Sequence, residues 1–174
     1  MITLNANKRC GRCVNDASLL IYKSSKNVTS NIMYTVRDEK LYLTASSLAR
    51  VAVNRPLSPS SPEIGANSIV IKRLLEHEKP SAIITENRCT LVDVYEVMPI
   101  LMDSFMMTEE AKKNIIAFWS ELVEIFQINP ENGEINRKKA SKEFKQIVKD
   151  ATNDDELTAK VIAIIKAMKE QGVL

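Results

Sequence analysis

Histidine occurs once in this chain, at position 77, so no catalytic cluster with two imidazoles can be built from it. No nucleophile–base spacing or phosphate-cradling glycine loop stands in its place, and a non-enzymatic protein is expected. Four glycines and six prolines among 174 residues argue against a turn-rich all-β protein. Aromatics are sparse at 5%, and seven methionines take over part of their packing role. No run of about 18 apolar residues occurs, which argues against a membrane span. The opening MITLNANKRC has no apolar stretch of a secretory leader. Three cysteines are an odd number for a disulfide framework. Together these absences point to a reducing, cytoplasmic setting with free thiols, where the Asn27-Val28-Thr29 sequon is silent.

What is present is enough apolar material, 45%, to bury a real core. The length fits one domain, or one small domain with a helical extension. Net charge is only +2, but residues 1–60 carry nine basic and three acidic groups while the later segments are slightly acidic. A basic front third is what a polyanion-binding surface needs, and it is equally what ordinary charge scatter produces.

Along the chain, residues 1–16 read as irregular and 17–22 (ASLLIY) as a short strand. Residues 23–31 read as a loop, and 32–44 as a hairpin turning around Arg37-Asp38-Glu39-Lys40. Thr44 can cap a helix over 45–53, with Leu48, Val51 and Ala52 as its apolar positions. NRPLSPSSPEIG is dense in proline and serine and reads as a loop. A second helix is expected over about 66–77, with Ile69 or Val70, Ile71, Leu74 and Leu75 inward, ending before Pro80. Residues 82–91 suggest a hairpin around Asn87-Arg88. A third helix is expected over 92–102, with Pro99 as a kink or split point. From Thr108 three amphipathic helices follow, over 108–127, 137–151 and 154–171. The expected organisation is α+β: a small sheet with a helix-turn-helix front domain, residues 1–104, and a helical dimerisation or interaction module, residues 105–174.

A helix-turn-helix needs a positioning helix, a turn and a second helix whose outer face reaches base edges. The second helix offers Asn67 and Ser68 near its start, then Lys72 and Arg73. Asparagine and arginine can bond base edges bidentately, while serine and lysine suit phosphates or single contacts. Lys79 lies where the chain leaves the helix, Arg50 and Arg55 lie on the other side, and Arg88 sits at the tip of a hairpin that would form a wing. On these residues the chain resembles known families. LYLTASSLARVAVNR, with Thr44-Ala45-Ser46-Ser47-Leu48-Ala49, is similar to the first helix of winged helix-turn-helix domains in MerR-type regulators and excisionases. RCTLVDVYEVMPIL is similar to the stretch after their wing. The strand-then-helix entry at Tyr42–Leu48 also resembles KilA-N-type domains of phage antirepressors. The similarity covers residues 40–101. These families join the two helices by a few residues, whereas about eleven intervene here. The alternative is two helices packed on a small sheet with no reading role.

Cys10-Gly11-Arg12-Cys13 is a CxxC, half of a zinc knuckle, and only Cys89 and His77 could complete it. Lys8, Arg9 and Arg12 would lower the thiol pKa values, yet no strand leads into the motif as a thioredoxin-like site requires. Asn132-Gly133-Glu134 lacks the preceding oxygen donors of a calcium loop. The basic run 137–149 can grip phosphates or pair with the acids of 150–156. The resulting expectation is a cytoplasmic, homodimeric regulator that binds double-stranded DNA, of phage or mobile-element type, needing no cofactor, with zinc at Cys10 and Cys13 as the one metal option. The rival expectation is a protein–protein interaction module: an inhibitor, immunity protein or assembly factor.

Overall fold

The computed structural model describes residues 1–9, 17–58 and 60–135, with side chains of 5–9 left aside. Cys10, Cys13 and the two helices expected over 137–151 and 154–171 lie outside these residues. The chain divides into two compact units, Met1–Trp119 and Ser120–Leu174.

The first unit is α+β, built on a six-stranded antiparallel sheet. Its strands are β1 (Ile2–Arg9), β2 (Ser18–Lys23), β3 (Thr29–Arg37), β4 (Lys40–Thr44), β5 (Ile83–Glu86) and β6 (Cys89–Asp93). They lie in the order β1-β2-β3-β4-β6-β5. Residues 2–9, expected to be irregular, form an edge strand on β2, with Ile2 opposite Tyr22 and Leu4 opposite Leu20. Only this edge position explains how a segment as polar as Asn5 to Arg9 joins a sheet, because its outer side needs no partner. The loop expected over 23–31 is a tight turn between β2 and β3, closed by Ser24 N–H to Val28 O at 3.0 Å. Asp38-Glu39 and Asn87-Arg88 turn the β3–β4 and β5–β6 hairpins with positive φ at both central residues. That is the primed turn whose twist matches antiparallel strands.

Four helices follow from local signals: α1 (Ala45–Val53), α2 (Pro62–Glu78), α3 (Val94–Asp103) and α4 (Glu109–Phe126). Thr44 caps α1 as expected, its Oγ1 accepting from Ser47 N–H at 3.2 Å. Asn54 ends it in the left-handed region, φ 51°, where asparagine is tolerated. Helix α2 starts four residues earlier than expected, because Pro62 serves as its first residue, where a missing N–H costs nothing. Helix α3 starts two residues later than expected. Leu91 and Val92 are held in the ladder with β4 and β5, and Asp93 caps the helix through Tyr95 N–H at 3.1 Å and Glu96 N–H at 3.3 Å. Pro99 does not break it. The residue lies on the exposed side, where water can take the carbonyl that its absent N–H leaves over.

The register explains the core. Leu20 faces Ile32, and Leu43 faces Val92, and all four are fully buried. Against them packs α1, which buries Ala45, Ser47, Leu48, Ala49, Val51 and Ala52. Its small residues let α2 and the sheet approach closely. Leu48 alone contributes on the order of 1.5–3 kcal/mol by leaving water. From α4, Phe118 meets Tyr22 with ring centroids 4.7 Å apart and planes tilted by 58°, an arrangement that ring quadrupoles favour. A second cluster on the opposite sheet face gathers Met33, Tyr42, Ile84 and Cys89 about Ala17 and Leu91.

In the described part of the second unit, α4 closes with Gln127 in the left-handed region and Ile128 N–H bonded to Val123 O at 3.2 Å, the Schellman arrangement. Asn129 and Asn132 each accept a backbone N–H two residues on, so Asn129–Glu134 is a self-bonded turn. Among the described residues no helix is long and apolar enough to cross a membrane.

Candidate nucleic-acid interface

The candidate surface grows out of the end of β4. Thr44 Oγ1 donates to Ser47 Oγ at 2.8 Å, and that oxygen also accepts Met33 N–H at 3.0 Å. One threonine thus ties β3, β4 and the first turn of α1 together. Helix α1 then packs along α2. The connection is Asn54–Ser61, shorter than expected because α2 begins at Pro62. Ser61 N–H bonds to Ser58 O at 2.9 Å, and Ile64 N–H to Ser61 O at 3.1 Å where α2 begins.

Leaving α2, a single turn at Pro80–Ala82 leads into β5, and β6 returns to pair with β4, Thr44 opposite Leu91. The helix pair is therefore bracketed by a strand before it and a hairpin after it, with the returning strand between the two in the sheet.

Helix α2 buries Ile64, Ile71 and Leu75. Of the two alternatives expected inward, Ile69 is 52% exposed and Val70 is half-buried. The outward face carries Gly65, Ala66, Ile69 and Arg73 and continues through Glu76 and His77. Asn67 and Lys72 are five residues apart and flank the buried stripe on opposite sides, so the fold does not bring Asn67, Lys72 and Arg73 onto one face. Asn67 Nδ2 donates to Glu63 O at 2.9 Å within its own helix. Ser68 is half-buried. The strip was missed because the helix start was set four residues late; proline followed by a glutamate in the first turn was the signal for the true start.

The remaining candidate cations fall into three groups. Arg55 pairs with Glu63, Lys72 with Glu76 at 3.9 Å, and Lys79 with Glu96. Hydrogen bonding to Glu96 raises the Lys79 amine above its usual range. Arg73 and Arg88, both exposed, have no ion pair among the described residues. Arg50 is half-buried on α1, and its Nε is buried without a partner. Arg88 occupies a left-handed position, φ 66°, at the tip of the β5–β6 hairpin.

Cys89 is disulfide-bonded, against the expectation of free thiols. His77 is exposed, 4.0 Å from Glu78. No group of three or more metal-binding side chains exists among the described residues. No family model matches the chain, and no curated protein or solved structure matches it.

Proposed function

We propose that this chain is a regulator that binds double-stranded DNA through a winged helix-turn-helix formed by β4, α1, α2, β5 and β6. The observation that carries the reading is the connectivity. Two packed helices are inserted between a strand and a hairpin, and β6 of that hairpin pairs back onto β4. This places an exposed strip of α2 and a positively charged hairpin tip in one compact unit, the two elements that a groove and its flanking phosphates require. Arg73 and Arg88, with no ion pair among the described residues, can engage DNA without first breaking one. Residues 105–174 are read as the helical module that pairs two copies, doubling the contacts on a two-fold site.

The test is fluorescence anisotropy of the purified chain on labelled random-sequence duplex DNA across a salt series. Binding that weakens steeply as salt rises is expected. No binding even at low salt overturns the reading.

A second reading, a protein–protein interaction module, is favoured by one observation. Phe105 is 96% exposed and Met106 beside it 51% exposed on the connection between α3 and α4, a pair of large apolar side chains open to a partner.

A further inference from the structure

The DNA-binding reading leaves open which side chains would read bases and which bases they would choose. Side-chain commitments on α2 narrow both. A base-reading asparagine must offer its amide N–H and its oxygen together to adenine. Asn67 has an N–H engaged by Glu63 O at 2.9 Å and is half-buried, so it is held away from that role. Lys72 leans on Glu76. Gly65, Ala66, Ile69 and Arg73 remain on one exposed helix face, which Glu76 and His77 continue toward the C-terminus.

This strip has a definite chemistry. It lies opposite the buried Ile64, Ile71 and Leu75. A side chain added at Gly65 would meet nothing within 4 Å, so this part of the helix is open for close approach by another surface. Ala66 and Ile69 are apolar and exposed, and Arg73 carries a guanidinium with no ion pair among the described residues. No carboxylate lies between Ala66 and Arg73. Apolar side chains in a major groove contact the thymine 5-methyl, and arginine bonds guanine O6 and N7 bidentately. The first three strip positions fall in the N-terminal half of α2, the half that reaches base edges when such a helix enters the groove.

Resting on the DNA-binding reading above, we propose that α2 reads the major groove with Ala66, Ile69 and Arg73 over a bare Gly65, selecting thymine methyls beside a guanine, while Asn67 and Ser68 read nothing.

The test starts from a consensus selected by the full chain from a pool of random-sequence duplexes. Each thymine in that consensus is then replaced by uracil, which removes only the methyl. One uracil position is expected to weaken the unaltered chain about four-fold, the worth of one buried methyl, and to leave an Ile69→Ala chain unaffected. Arg73→Gln should cost about ten-fold or more on the consensus while keeping salt-dependent binding to the unselected pool. Asn67→Ala should select the unaltered consensus. Thermal melts of the Ile69→Ala and Arg73→Gln chains, altered at exposed positions, should match that of the unaltered chain, which separates loss of reading from loss of fold. Uracil effects equal in the Ile69→Ala and unaltered chains would overturn the inference, as would a changed consensus for Asn67→Ala. In either case DNA binding itself stands. No binding of the unaltered chain to the starting pool removes the DNA-binding reading, and this assignment with it.

Discussion

Asn114 of α4 and Asn54 at the end of α1 are bonded side chain to side chain: Asn54 Nδ2 donates to Asn114 Oδ1 at 3.3 Å. Asn114 Nδ2 in turn donates to Ala52 O at 2.8 Å. One asparagine thus satisfies a carbonyl in the last turn of α1 and fixes the left-handed residue that ends it. Asn114→Ala should lower unfolding free energy by about 1–2 kcal/mol in urea titration, since it leaves part-buried polar groups unpaired. Asn54→Ala should cost about 1 kcal/mol or more, and Asn54→Gly less, because glycine adopts a positive φ without strain.

Arg88 sits where glycine would be at ease. Holding an arginine at φ 66° costs on the order of 1–2 kcal/mol. Arg88→Gly should therefore raise the urea midpoint. On the proposed function it should also weaken DNA binding and reduce the salt slope by about one unit. A gain in stability coupled to a loss of binding is the signature of strain kept for a working side chain.

Lys79 makes the opposite case. Its amine is engaged with Glu96, tying the exit from α2 to the first turn of α3. Lys79→Ala should leave the salt slope of DNA binding unchanged, measured by anisotropy beside Arg88→Ala. A reduced slope for Lys79→Ala would move the phosphate contact to this residue.

Asp93 predicts a pH dependence. Burial raises its carboxyl above the ordinary aspartate value, while the N–H groups of Glu96 and Tyr95 and the Lys40 charge pull the other way. The folded chain therefore holds this proton more tightly than the unfolded chain does. Its contribution favours folding below the unfolded value and is lost as pH rises through the raised folded value. Asp93→Asn keeps an acceptor oxygen for the cap but carries no charge. The urea midpoint of the unaltered chain, relative to Asp93→Asn, should fall as pH rises from below the ordinary aspartate value through the raised one, and stay level above it. Asp93→Ala, lacking the cap, should lose about 1 kcal/mol at neutral pH.

Phe118 is 1% exposed and rests on Tyr22. Phe118→Ala should cost about 3–5 kcal/mol, the range for deleting a buried ring. Ile116→Ala, two residues earlier and 47% exposed, should cost far less. Thermal or urea denaturation distinguishes the two.

The elements readable in advance were those written in adjacent residues. Thr44 and Asn54 bound α1 by capping chemistry, and Asn87-Arg88 lies between two β-prone runs. Helix α2 was half readable: its end before Pro80 was clear, but Pro62 belongs to a serine- and proline-rich stretch and passed as loop. Strand β1 did carry an alternation, Ile2, Leu4 and Ala6 against Thr3, Asn5 and Asn7, but it is short and runs into Asn7-Lys8-Arg9, so it passed as irregular. The pairing of β4 with β6 depends on residues far apart in sequence, and no local pattern encodes it. For the candidate surface, residue type singled out Asn67, but only the helix phase and its bond to Glu63 reveal that it is occupied.

The ladder between β4 and β6 has three rungs: Tyr42 with Asp93, Leu43 with Val92 and Thr44 with Leu91. Everything from α1 through β5 is an excursion of the chain between those strands. In opening events short of global unfolding, those rungs are the seam along which the helix pair and hairpin can part from the β1–β4 meander, whose longer hairpins close locally. Of the Leu91 and Val92 amides, the one that donates across to β4 should therefore exchange before those of Leu20 and Ile32, making the inserted segment a cooperative unit of its own within a single sheet.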